Sequence, residues 1–192
     1  MVFTSYIVSM TFTWTAHRFV GGALALDVAN SVILRHDAEG RRDRFAVAEQ
    51  FQAFPEAAVR LSAERQDFPD LRPLPEEHRG EFLQLREAID RYFRVRTLGS
   101  EDRLALAELL ERIAATLRAA TVGQTLDQAT ARSALRLICE PQPERMKICG
   151  HCGWLFLDRS KNRSRTWCDM TVCGNRVKAS RHYKRKKTEP LP

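Results

Sequence analysis

The chain has no run of about eighteen consecutive apolar residues, so no membrane-spanning helix is expected. Its opening, MVFTSYIVSMTFTWTAH, lacks the basic start of a signal peptide, and its apolar run is broken by Thr and Ser. It reads as a ragged extension or as an edge strand rich in β-formers. Without a secretory signal the expected compartment is the reducing cytoplasm, where paired cysteines favour metal over disulfides. Repeats and low-complexity segments are missing, as are a Gly-rich phosphate loop and an HExxH pair. His17, His36 and His78 are scattered, each beside charge, and no nucleophile–base pair can be assembled from the sequence; an enzyme is not expected. Acidic residues are scarce in one place only. Residues 144–192 hold thirteen Lys/Arg against four Asp/Glu, whereas the other 143 residues hold eighteen against twenty. The net charge of +7 is therefore a property of the tail, and it calls for a polyanionic partner, nucleic acid first.

What is present suffices for one ordinary domain and a small appendage: 192 residues, 44% of them apolar. The expected fold is mainly α, a helical bundle with a short β element at its start, followed by a small zinc finger. The expected boundaries are an extension over 1–16, a helical domain over 17–143 and the finger over 144–192.

An extended apolar piece at His17 leads to Gly21-Gly22, which permits a tight turn. Leu24, Val28 and Val32 then recur at helical spacing, predicting a helix over 23–35 that ends in the polar loop 36–44. Asp27 and Asn30 interrupt this apolar stretch. They are expected to hydrogen-bond within the fold, with a small-molecule pocket as the sharper alternative. Residues 45–61 carry a helical signal interrupted at Pro55. Pro75-Glu76-Glu77 suits a first turn, and Phe82, Leu85, Ile89 and Phe93 line one face of a helix over 76–98, with Leu83, Arg86 and Arg91 outside it. The segment 99–102 stops that helix and caps the next, whose stripe is Leu106, Leu109, Leu110, Ile113 and Leu117. After a turn or short extended piece over 121–125, a last helix over 127–140 points Ala131, Leu135 and Ile138 inward. Cys139 is expected to be a buried small residue near its apolar side.

Residues 149–187 carry the strongest signal. Cys149-x2-Cys152 and Cys168-x4-Cys173 are separated by fifteen residues. Each pair brings two thiolates together on a short turn, and the intervening loop folds both onto one tetrahedral ion. One structural Zn²⁺ is expected; two disulfides, or His151 or His182 in place of a cysteine, are the alternatives. Gly150 and Gly153 let the backbone curl so that N–H groups face the sulfurs. A hairpin of Trp154–Leu157, a turn over 158–163 and a return strand over 164–167 should follow. A helix capped by Asp169 or Thr171 and carrying Cys173 in its first turns completes a treble-clef-like order.

These residues resemble a known family. Cys173-Gly174-Asn175-Arg176 is the tetrapeptide that names the CGNR zinc fingers, and LFLDRSKNRSRTWCDMTVCGNR is similar to that family's pattern over its whole length. The preceding part resembles the helical ABATE domain usually joined to it, through Phe19-Val20-Gly21-Gly22, residues 24–30 and Leu85-Arg86-Glu87-Ala88. The resemblance implies Cys149, Cys152, Cys168 and Cys173 as metal ligands, and a stress-induced bacterial transcriptional regulator whose finger binds DNA. Position 28, often a large aromatic in that family, is Val28 here, which withdraws support for a pocket at that point.

On a helix from Gly174, Lys178, Arg181 and Arg185 share one face, while Arg176 and Lys187 lie on another with Tyr183 between them. Lys184 adds to the same rod, and the preceding loop supplies Lys161, Arg163 and Arg165. Arg163, Arg165, Arg176, Lys178, Arg181, Lys184 and Arg185 are the candidate nucleic-acid contacts, with double-stranded DNA as the expected partner. Asn175 and Arg176 carry a structural alternative: Asn175 bonding backbone, Arg176 crossing to Asp158 or Asp169. The helical domain is expected to dimerise or to sense a signal. RNA binding, with Trp154 and Trp167 stacking on bases or else shielding the zinc core, is the second reading, and a protein-interaction adaptor the third.

Overall fold

The computed structural model describes residues 12–119 and 123–188, with only the backbone of 182 and 184–188. Helices dominate it. A 3-10 turn at Ala16–Phe19 leads to α1, Leu24–Ala29. Two short strands, β1 (Val32–Ile33) and β2 (Arg42–Asp43), pair antiparallel with Val32 opposite Asp43. Then come α2 (Ala48–Gln52), α3 (Phe54–Leu61), α4 (Arg79–Thr97), α5 (Arg103–Arg118) and α6 (Leu126–Ile138). The C-terminal part holds β3 (Met146–Ile148), β4 (Leu155–Leu157), a π-type turn at Met170–Gly174 and α7 (Asn175–Thr188). The mainly helical expectation holds. The short β element, however, follows α1; the piece at His17 is a 3-10 turn. Residues 1–11, the bulk of the expected extension, lie outside the described residues, as do 120–122.

Every residue of α1 is buried, which makes this six-residue helix the spine of the molecule. Ala25, Leu26 and Ala29 face a core built with Leu85, Ile89 and Phe93 of α4, Leu109 and Ile113 of α5, and Ala131, Ala134 and Leu137 of α6. Leu24 and Val28 face a second core, rich in aromatics: Trp14, Phe19, Phe45, Phe51, Phe54, Phe68 and Phe82. Its rings meet edge to face, Trp14 on Phe54 and Phe45 on Phe54, each at 5.0 Å between centroids. Such pairs add to the burial energy through their quadrupoles. Trp14 thus belongs to the core, its Nε1 donating to the Gln50 carbonyl at 2.7 Å.

A helix begun at Ala23 has no side chain to cap its free N–H groups. Distant residues do so instead. Leu24 N–H donates to Glu64 Oε2 at 2.8 Å and Ala25 N–H to Ser133 Oγ at 3.0 Å, while Ser133 Oγ donates to Glu64 at 2.6 Å. The Glu64 carboxylate also suits the positive end of the dipole. Asp27 accepts from Gly21 N–H at 2.9 Å and Ser62 Oγ at 3.0 Å, and burial pushes its carboxyl well above the ordinary range against those two bonds. Asp27 and Asn30 are both satisfied within the fold, as expected.

The expected helix over 23–35 is cut short at Ala29. Asn30 turns its side chain onto the backbone of Leu155, and the β-branched pair Val32-Ile33 goes into β1, followed by Leu34 at φ 46°. Helical spacing of Leu24, Val28 and Val32 did not distinguish a continued helix from a turn into a strand. The 45–61 signal resolves into α2 and α3, with Pro55 in the first turn of α3 where its missing N–H costs nothing. Between α4 and α5, Asp102 caps α5 by accepting from Ala105 N–H at 2.9 Å. Leu109 and Ile113 point inward, while Leu110 is 41% exposed.

Two expectations are corrected by burial. Cys139 is exposed at the end of α6. Arg86, expected outside the α4 stripe, is buried at 3% exposure. The β1–β2 hairpin folds over it, so that Arg86 donates to both Asp43 oxygens, at 2.8 and 2.7 Å, and to Ser31 Oγ at 3.2 Å. The helical spacing of α4 could not reveal a carboxylate supplied by another element.

Burial alone would raise the Asp43 carboxyl, but the hydrogen bonds and charge of Arg86 hold it below its ordinary value. That contribution is complete above about pH 4, the unfolded value for Asp, and is lost as pH falls through the lower folded value. Arg86→Met should cost on the order of 2–3 kcal/mol in denaturant unfolding at pH 7, less than a fully buried pair because Asp43 is partly open. The variant should also lose stability less steeply than the parent below about pH 4, since Asp43 no longer gains from ionising in the folded state.

Candidate metal centre

β3 and β4 pair antiparallel, Met146 opposite Leu157 and Ile148 opposite Leu155. The first cysteine pair sits at the tip of this hairpin. Cys149 N–H donates to Trp154 O at 2.8 Å and Gly153 N–H to Cys149 O at 2.9 Å, which closes a knuckle around Cys152. Gly153 stands at φ 73°, a conformation that a side chain would strain. The partner of β4 is therefore the strand before the knuckle, and the return strand expected over 164–167 does not form. Those residues instead lie along the knuckle, with Gly150 N–H donating to Thr166 O at 3.1 Å.

Asp158 explains the difference. Its fully buried carboxylate accepts from Ser160 N–H and Oγ and from Arg165 N–H, at 3.0, 2.6 and 2.9 Å, and so curls the chain away from β4. Burial opposes its ionisation, but the bonds from Ser160 and Arg165 outweigh it and hold the carboxyl below its ordinary value. Sequence reasoning passed over this aspartate as a turn residue.

The second cysteine pair straddles a helix start. Asp169 Oδ1 accepts from Thr171 N–H at 2.8 Å and Val172 N–H at 3.4 Å, the cap expected there. Cys173 lies in the π-type turn that follows. Gly174 lies directly beneath the exposed Met170 side chain, whose sulfur would have to move for any Cβ there. Asn175 Nδ2 donates to Thr171 O at 2.9 Å, so this asparagine has the structural role.

These two turns bring all four sulfurs within 4.8 Å of one another. Cys152 to Cys168 and Cys168 to Cys173 are each 3.6 Å. A tetrahedron with Zn–S bonds of about 2.3 Å has edges of about 3.8 Å, so the cluster fits one zinc ion. Three of the cysteines are buried and Cys152 is partly open. Hydrogen bonding to Cys149 and Cys152, with burial, pushes the Cys168 thiol up; burial, then the charge of Cys149, does the same to Cys173. A divalent cation reverses this by binding thiolates, which makes metal the natural occupant. With all ligand positions filled by sulfur, the chemistry is that of a structural clamp.

Residues 145–186 match the CGNR zinc finger family model. No curated protein matches the chain. The four ligand positions all lie within the matched segment. Among the described residues, no helix is long and apolar enough to cross a membrane.

The finger shares its packing with the helical part. Asn30 bonds both backbone groups of Leu155, at 2.8 and 3.1 Å, and Leu157 N–H donates to Gly21 O at 2.9 Å. Arg94 donates to Gly153 O at 3.0 Å, and His17 Nδ1 lies 3.0 Å from Asp169 Oδ2. Trp154 is buried beside the cysteines, with Nε1 donating to Val32 O at 3.2 Å; it shields the centre and offers no ring to a base. Trp167 is half-buried against Gly150.

The candidate nucleic-acid residues divide. Arg163 pairs with Glu144 at 2.7 Å, and Arg165 lies 5.3 Å from the Phe156 ring and donates to Cys168 O. Arg176, Lys178 and Arg181 are exposed on α7, and among the described residues Arg176 pairs with neither Asp158 nor Asp169. The side chains of Lys184 and Arg185 lie outside the described residues.

Because β4 serves both the cysteine cluster and the helical core, removing the metal should destabilise the whole chain. Thermal unfolding of the zinc-loaded protein should be one transition, shifted down as a unit by a chelator; a finger that melts alone while the helices hold would contradict this. Cys168→Ser and Cys173→Ser should each abolish the single equivalent of zinc found by elemental analysis.

Proposed function

We propose that the chain is a DNA-binding regulator of transcription, using α7 as its contact with duplex DNA and the helical part as a sensing or dimerisation module. The observation that carries this is the exposure of Arg176, Lys178 and Arg181 on a helix anchored at its first turn to the metal centre. A helix of fourteen residues is about 21 Å long, and the major groove is about 12 Å wide, so α7 is of a size to enter it or to lie along phosphates. The burial of Trp154 removes one of the rings on which single-stranded RNA could stack. The resemblance of residues 17–140 to the ABATE domain supports a stress-responsive bacterial regulator working in the cytoplasm. On this reading the chain binds and does not catalyse.

The test is titration of the zinc-loaded protein with duplex DNA at several salt concentrations. The logarithm of the binding constant should fall linearly with that of salt, with a slope of about −0.9 for each phosphate contact. Combining Arg176→Ala, Lys178→Ala and Arg181→Ala should reduce the slope by up to about 2.7 and weaken binding to all sequences. Salt-insensitive binding, or none, would end this reading; tighter binding to single-stranded RNA would replace it with the alternative.

A further inference from the structure

The arginines of this protein fall into two groups. Those turned toward the helical core are matched to carboxylates: Arg35 to Glu87 and Asp90, Arg86 to Asp43, Arg94 to Asp90. Many others, Arg18, Arg42, Arg44 and Arg176 among them, form no ion pair among the described residues. Residues 1–11 contain no Asp or Glu.

Two of them, Arg18 and Arg44, converge on one ring, and Arg42 lies two residues from Arg44. The Arg44 guanidinium lies 4.3 Å from the centre of the Phe12 ring, and that of Arg18 lies 5.7 Å from the same ring. Arg18 is also 5.5 Å from the Trp154 ring, which covers the cysteine cluster. The 3-10 turn that carries Arg18 is tied to the start of the basic helix through His17 and Asp169. Two neighbouring acids are already engaged: Asp43 accepts from Arg86, and Asp169 accepts from Thr171 and faces His17. Arg44 also holds its Nε buried with no hydrogen-bond partner among the described residues. A buried donor left unpaired is unfavourable, and like charges gathered at one place add to the cost.

We infer that Arg18, Arg42 and Arg44 continue the basic face of α7 onto the helical part and hold phosphates of the same DNA backbone, an inference that rests on the nucleic-acid reading of α7. The planar guanidinium fork matches a phosphate's paired oxygens, and its weak hydration suits a half-buried place against an aromatic ring. Repulsion within the group is felt: Arg18 is lowered by burial, then by Arg44 and Arg176, and Arg44 by burial, then by Arg42. The cysteine cluster offers a competing account of Arg18, because Cys152 and Cys173 attract it. That account does not reach Arg44, on which no cysteine acts.

The experiment compares three full-length, zinc-loaded proteins against one DNA duplex across a salt series: the parent, the Arg42→Ala/Arg44→Ala variant and the triple α7 variant. The Arg42/Arg44 variant is expected to keep its zinc and its melting temperature while losing about 1.8 from the salt slope, two phosphate contacts' worth. Parent affinity and slope in that variant, with binding by the α7 variant weakened, would overturn the inference and leave the α7 reading standing. If the parent itself shows no salt-dependent binding, both fall together. Should the double variant fold poorly, Arg42→Ala alone decides, because Arg42 is exposed: a slope reduced by about 0.9 supports the inference, and an unchanged slope overturns it. Loss of zinc on Arg18→Ala with DNA binding at the parent level would assign Arg18 to the metal centre and remove it from the surface.

Discussion

Two hydrogen bonds between the Asn30 side chain and the backbone of Leu155 tie the end of α1 to β4, and the rest of the structure depends on that joint. An asparagine amide can do this because it presents one donor and one acceptor in a plane, as a neighbouring strand would. It ends α1, satisfies the backbone of β4 where β3 does not, and fixes the strand's position against the spine of the helical core. A buried backbone group left unpaired would be costly, so the asparagine supplies more than its own two bonds.

β4 then divides its side chains by the period of two that any strand imposes. Leu155 and Leu157 enter the helical core, whereas Phe156 turns the other way into the cluster with Cys149, Cys168 and Cys173. All three are buried, so the strand has no solvent face. A metal clamp is commonly imagined as a local staple that makes a small module fold. Here the strand next to the clamp is also part of the main core, and the orientation of α7 follows from the helical packing as well as from the metal.

The cysteine site was legible in the sequence because its signal is local: two short spacings, glycines beside the first pair and an acid one residue before the final turn. α4, α5 and α6 were legible for the same reason, their apolar stripes repeating over several turns. What was not legible depends on partners far along the chain. Arg86 reads as an outward charge until the β1–β2 hairpin brings Asp43 over it. Asp158 reads as a turn residue until its carboxylate is seen gathering three bonds, which deflects residues 164–167 from the expected strand. The end of α1 was misplaced because Val32 sits at helical spacing and in a strand equally well. Asn30, a polar residue in an apolar stretch, was the one available hint of the joint to β4.

The same dependence on partners governs how the charge of the chain is to be read. Counting basic residues assigned the polyanion-facing surface to the tail and left the rest near neutrality. Yet net charge does not say which charges are used up. Arg35, Arg86 and Arg94 are neutralised by carboxylates inside the fold, while Arg163, though within the basic tail, is paired with Glu144. Conversely Arg18, Arg42 and Arg44 belong to the nearly neutral part and find no carboxylate among the described residues. One carboxylate can serve two guanidinium groups, as Asp90 does for Arg35 and Arg94, so pairing follows the packing and the surplus collects where the fold brings no acid. In this fold that place lies against Phe12 and Trp154, beside the metal centre from which α7 starts. The surface available to an anion is thus set by which ion pairs the packing completes, and it crosses the line that composition alone would draw between helical part and finger.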